Sequence, residues 1–148
     1  MKKITLSILV LASFAMSCKK DNPAPIAADL LAKTWKLTGQ TIGTPQLPSG
    51  QDVYNLLPDC EKDNKFIFTK DGKFTEDEGA AKCSSTDPQT IDTGVYSLLQ
   101  NNTMLKFALI DTTFTVAINQ LNSSTLKFTA TTNVNGLSLT QVSTFTAQ

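Results

Sequence analysis

The sequence predicts an all-β domain, an eight-stranded antiparallel up-and-down barrel, and three observations carry the prediction. From Thr34 onward Thr, Val, Ile and Phe alternate with polar residues, the two-residue period of a strand buried on one face. Asn, Asp and Gly interrupt this pattern at intervals of about ten residues, as turns between short antiparallel strands do. Folding the chain back at those turns sets apolar residues opposite apolar residues on one shared face.

The chain opens with Lys2-Lys3, an apolar run from Ile4 to Met16, and Ser17-Cys18. Basic, apolar and small-residue regions in that order make a secretory signal, and the run falls short of the ~20 residues a membrane-spanning helix needs. Ala15-Met16-Ser17-Cys18 resembles the lipobox of bacterial lipoproteins, with Ala15 where that motif usually carries Leu. The resemblance implies cleavage before Cys18 and a diacylglyceryl group on its sulfur. In many diderm bacteria it also implies a third acyl chain, typically palmitate. Two or three chains anchor stably, each buried methylene contributing ~0.8 kcal/mol. Residues 1–17 are then a signal peptide and 18–27 a lipidated tether. Residues 28–148 are the barrel domain. The expected location is the cell envelope, anchored to the outer membrane.

Removing residues 1–17 leaves 131 residues, one domain by length, with 11 Lys against 13 Asp and Glu. That balance excludes nucleic acid, whose phosphates need clustered basic charge. Every basic residue is Lys, so no guanidinium fork is present to grip a carboxylate or phosphate. Histidine is absent altogether. No Ser-His-Asp or Cys-His nucleophile, imidazole base or His-containing zinc site can be built. We therefore expect no catalytic residues, no metal and no cofactor. In an exported chain Cys60 and Cys83 are expected to form a disulfide, since two isolated cysteines without histidine make a poor metal site.

Lys19 to Ile26 is polar and carries two prolines, the composition of a tether. Ala27 to Lys33, with Leu30-Leu31 among alanines, predicts one or two helical turns. Strands are expected near 34–42, 65–69, 73–77, 94–99, 103–109, 114–119, 125–133 and 137–146. A three-residue turn at Lys70-Asp71-Gly72, with Gly72 left-handed, pairs Phe68 with Phe74. Asn101-Asn102 pairs Leu98 with Leu105 and Tyr96 with Phe107. Asp111-Thr112 pairs Leu109 with Phe114 and Phe107 with Val116. A three-residue loop around Asn122 pairs Ile118 with Leu126 and Val116 with Phe128. Asn135-Gly136, the strongest short hairpin signal here, pairs Val134 with Leu137 and Leu126 with Phe145. Eight such strands hide their edges best by closing into a barrel.

Leu30-Leu31-Ala32-Lys33-Thr34-Trp35-Lys36-Leu37, Asp59-Cys60, Phe66 to Phe68, Asp71-Gly72-Lys73-Phe74, Cys83 and Gly94-Val95-Tyr96 together resemble the lipocalin-like domain of small bacterial lipoproteins. Lys33-Thr34-Trp35 stands where that family has Gly-x-Trp. The resemblance covers roughly residues 28 to 148 and implies a barrel, with Trp35 as the plug of its closed end. It carries structural motifs and no activity. In lipocalins the first long connection covers the barrel mouth. Here it is the segment from Gly43 to Asn64, where Tyr54, Leu56 and Leu57 are the expected ligand or partner contacts, or else plug the barrel end and complete the core. Asp59, Glu61, Asp63, Glu76, Asp77 and Glu78, interleaved with lysines and without a calcium-loop pattern, read as a solvated strand edge. The inward phenylalanines predict a filled or nearly filled interior. Two functional classes follow for a non-catalytic, lipid-anchored envelope protein: a carrier of a small apolar ligand, or a module that recognises another envelope or exported protein.

Overall fold

The computed structural model describes residues 26–148. The expected signal peptide and Cys18 lie outside the described residues. Nine strands form one antiparallel sheet: β1 (Thr34–Thr44), β2 (Leu47–Asp52), β3 (Lys65–Phe68), β4 (Lys73–Asp77), β5 (Thr90–Leu99), β6 (Met104–Leu109), β7 (Thr113–Leu121), β8 (Thr125–Val134) and β9 (Leu137–Ala147). Each pairs with its neighbour in sequence order, except that β3 joins β1 beyond β2. β9 returns to pair with β1 from Trp35↔Ala147 to Gly43↔Thr140, which closes eight strands into a barrel. β2 is an added hairpin arm on the upper half of β1.

A short helix, α1 (Ala27–Leu31), packs under the end at which the chain enters. Leu31, Trp35 and Leu105 there are each 0% exposed. The Trp35 indole N–H donates to the Leu31 carbonyl at 2.9 Å, so the one polar atom of the plug is satisfied. Lys33 Nζ reaches the Ser123 carbonyl at 2.9 Å, and Lys70 pairs with Asp29 at 2.7 Å, pinning helix and turns together. We call this the closed end.

Three hairpins adopt the expected pairing: Phe68↔Phe74, Leu98↔Leu105 with Tyr96↔Phe107, and Leu126↔Phe145. Positive φ falls where the turns need it, at Gly72 (82°), Asn101 (55°), Asn102 (67°) and Asn135 (52°). Two hairpins differ. The β6–β7 turn is centred on Ile110-Asp111, giving Leu105↔Val116 and Phe107↔Phe114, two residues away from the expected register. A shift of two leaves the same side chains inward, so alternation alone does not distinguish the registers. The observed one stacks Phe107 on Phe114 at 4.9 Å. The β7–β8 loop is Asn122-Ser123-Ser124, centred one residue later than expected, and in it the Asn122 side-chain oxygen accepts the N–H groups of Ser124 (3.0 Å) and Thr125 (2.8 Å). An irregularity between Ile118 and Gln120 then restores the inward phase, so Ile118 faces Phe128 in place of Leu126.

The segment expected as one long connection contains β2, which Pro48 and Gly50 disguised as loop; Gly50 takes φ 71°. A 3-10 turn (Tyr54–Leu56) and a one-turn helix, α2 (Asp59–Lys62), complete it. β5 begins at Thr90, earlier than expected, and runs through Gly94. A Cβ at Gly94 would collide with the Ala108 carbonyl and Leu109 Cα, so glycine there allows the sheet to close and does not mark a strand end.

Candidate functional site

The inward positions of the strands decide the site. Above the packed closed end the barrel holds a cavity of about 310 Å³, lined by seven phenylalanines and open to solvent at the opposite end. An eight-stranded barrel has room for one small ligand when its side chains leave space, and a volume of this size is at the lower end for small-molecule pockets. The expectation of a filled interior is corrected here. Phe66, Phe74, Phe128 and Phe145 lie against one another along the wall, with centroid distances of 4.9 to 6.3 Å, and do not cross the centre. Phe114 stands at the mouth, 42% exposed while stacked on buried Phe107.

Four polar side chains break this apolar lining: Gln40, Glu76, Gln141 and Ser143. Ser143 on β9 is 2% exposed, and its hydroxyl oxygen accepts from Gln141 Nε2 at 3.3 Å and Gln40 Nε2 at 3.5 Å. The two amides thus orient each other across the β1–β9 pairing and leave their carbonyl oxygens for whatever enters. Glu76 stands on β4, two positions beyond Phe74 and opposite Phe66 and Asp92 in the flanking strands. Its burial, and then the charge of Asp92, push its carboxyl above the ordinary value.

A clamp just beyond Glu76 fixes this part of the rim. Cys60 on α2 and Cys83 in the β4–β5 connection form a disulfide with Cα atoms 5.2 Å apart. Asp63 Oδ2 accepts the N–H groups of Ala80 (2.8 Å) and Ala81 (2.9 Å). Buried Asn64, with its amide turned to satisfy both carbonyls, donates to Cys60 (3.0 Å) and Glu78 (3.2 Å). The acidic series is therefore no uniform solvated edge: Asp63 and Glu78 belong to the clamp, and Glu76 to the cavity.

Tyr54, Leu56 and Leu57 do not line the cavity. Leu57 and Tyr54 pack partly buried against the core from the side, with Lys62 Nζ 5.8 Å from the centre of the Tyr54 ring. Leu56 is 79% exposed. Tyr54 also borders a shallow exterior groove with Asp52, Thr38 and Lys127. Trp35 lies beneath the cavity, fully buried. The cavity's polar residues carry a weak signal in the sequence: strand parity counted back from Phe145 places Ser143 and Gln141 inward, and parity from Phe74 does the same for Glu76. Gln40 carried no such signal, because the bulge between Leu37 and Gly39 reverses the phase of β1. Among the described residues, no cluster of three or more His, Cys, Asp and Glu side chains is arranged to hold a metal ion.

No curated protein sequence matches the chain. The family described as the lipocalin-like domain matches residues 31–128, which takes in the strands from β1 into β8 and the whole of the disulfide clamp. With an eight-stranded barrel, a tryptophan-plugged end and a central cavity, the chain belongs to the lipocalin-like domain family.

Proposed function

We propose that this protein is a non-catalytic, lipid-anchored lipoprotein of the cell envelope whose barrel carries one small, largely apolar ligand. The observation that supports the carrier reading is the cavity of about 310 Å³ lined by aromatic rings inside a closed barrel. The anchoring reading rests on Ala15-Met16-Ser17-Cys18. It also fits the direction of entry: the chain reaches the barrel through α1 at the closed end, so an anchor at Cys18 would join the barrel at the end opposite its mouth. The outer membrane is the proposed location, with residues 18–27 as the tether.

A protein-recognition role is the second reading. Exposed Leu56, and Ile110, Val134 and Leu137 on the turns around the mouth, favour it.

Mass spectrometry of the protein extracted from its own membrane tests both parts. The expected result is a chain beginning at Cys18 with covalent acyl mass, plus a non-covalent small molecule lost on denaturation. In an Ala130→Phe variant, whose added ring fills the cavity, that molecule should be missing while the acyl mass remains. An unmodified chain retaining residues 1–17 would overturn the anchor. Wild-type protein with an empty barrel after mild isolation would overturn the carrier.

A further inference from the structure

The cavity's polarity is one-sided. Glu76 is its single ionisable lining residue among the described residues, and no basic side chain reaches it. The groups facing Glu76 are Asp92 from β5, Glu78 just past the end of its own strand, Glu61 from α2, and Asn64, a neutral hydrogen-bond partner that partly offsets the acidic neighbours. None is a cation. Lys62 is held on Asp59 at 3.2 Å, Lys73 on Asp71 at 2.8 Å and Lys82 on the Asp87 carbonyl at 2.8 Å, while Lys65, next to inward Phe66, takes the exposed outer face of β3. A carboxylate set in an aromatic wall without a counter-charge is costly in the empty protein, and binding a cation would relieve that cost.

Resting on the carrier reading, we infer that the ligand is an organic ammonium on an apolar body, with its nitrogen received by the Glu76 carboxylate. The rings fit the same chemistry. Phe66, opposite Glu76 on β3, and Phe74, two positions before it on β4, line the same cavity, and aromatic faces attract ammonium groups placed over them. The free carbonyl oxygens of Gln40 and Gln141 accept hydrogen bonds from further N–H groups. A carboxylate ligand, by contrast, would meet a like charge and no guanidinium or ammonium partner. Because the bound cation needs Glu76 ionised, and burial with Asp92 raises its carboxyl above the ordinary range, ammonium binding should weaken as pH falls through the titration of Glu76.

Calorimetric titration with three probes of one skeleton, phenylbutylamine, phenylbutanol and phenylbutyrate, is the test. The amine should bind about tenfold more tightly than the alcohol, the scale of a charge-assisted hydrogen bond in a partly dry site, and the carboxylate more weakly than both. In Glu76→Gln the preference for the amine over the alcohol should disappear, the two probes binding alike. Equal affinities in the wild type, a carboxylate preference, or an amine preference that survives Glu76→Gln would overturn the inference and leave the carrier reading standing. Failure of all three probes to bind would overturn both.

Discussion

The two ends of the barrel come from the same alternating strands and use their inward positions in opposite ways. At the closed end Leu31, Trp35 and Leu105 are shut off from solvent, and the lone polar atom among their side chains is hydrogen-bonded within the plug. At the open end Gln40, Glu76, Gln141 and Ser143 take inward positions that apolar residues could fill, and Phe114 is left 42% exposed. The closed end stabilises the barrel through close packing. The open end forgoes apolar burial and holds an acidic side chain raised above its ordinary pKa, features with no value to stability alone. Segregating the two lets the site carry strain without loosening the fold.

Trp35→Ala should break this contrast most severely. Removing a fully buried indole from the plug should lower the unfolding free energy by about 3–5 kcal/mol, because a cavity adds to the lost transfer energy. Phe114→Ala at the mouth should cost only ~1 kcal/mol, as its ring is half in water already. Urea titration of both variants measures the difference. Comparable losses would mean that stability is spread evenly along the barrel and that the contrast between the ends is false.

The disulfide sharpens the comparison, because it gives the open end its own source of order. Closing a loop with a sequence separation of 23 is worth ~3 kcal/mol in the chain-entropy model. The paired variant Cys60→Ser/Cys83→Ser should lose roughly that much while keeping the barrel's circular dichroism. Hydrogen exchange should accelerate at Ala80 and Ala81, whose N–H groups sit on Asp63, and remain slow at Trp35 and Ala147. Faster exchange throughout the barrel would show that the clamp supports the whole fold and not one rim.

Much of the barrel was legible because strand alternation has a period of two and hairpins conserve it. Leu126 meets Phe145 and Phe68 meets Phe74 in the register that matching apolar faces requires. The same periodicity hid the error at Ile110-Asp111, since a displacement of two residues returns every side chain to its own face. Local backbone events were the blind spot. The bulge before Gly39 turned Gln40 inward, and the β7–β8 turn, held by the Asn122 side chain, lies one residue along from the centre that residue spacing suggested. The site was harder to see than the fold because its signal is an exception to the pattern. Glu76 sits among Asp77 and Glu78 in a charged stretch, and composition there outweighed the parity that points it at the phenylalanines. An inward position occupied by a charge, read as such, would have located the cavity.

Glu76→Gln has the smallest expected effect on stability and bears most directly on why the two ends differ. Burial and Asp92 raise the Glu76 carboxyl above its ordinary 4.5, so the folded protein holds this proton more tightly than the unfolded chain does. The resulting contribution to stability is fully present below 4.5 and is lost as pH rises through the folded-state value. Above that value the ionised group is a fixed liability, which Gln cannot incur because it does not ionise. In the absence of ligand, Glu76→Gln should therefore melt slightly higher than the wild type at neutral pH. That advantage should shrink as pH is lowered and vanish once Glu76 is protonated in both states. Melting curves across this range give the sign directly. A variant that melts lower at neutral pH would mean that the Asn64 hydrogen bond outweighs burial and Asp92 in the empty barrel, and the open end would then be as well satisfied as the closed one.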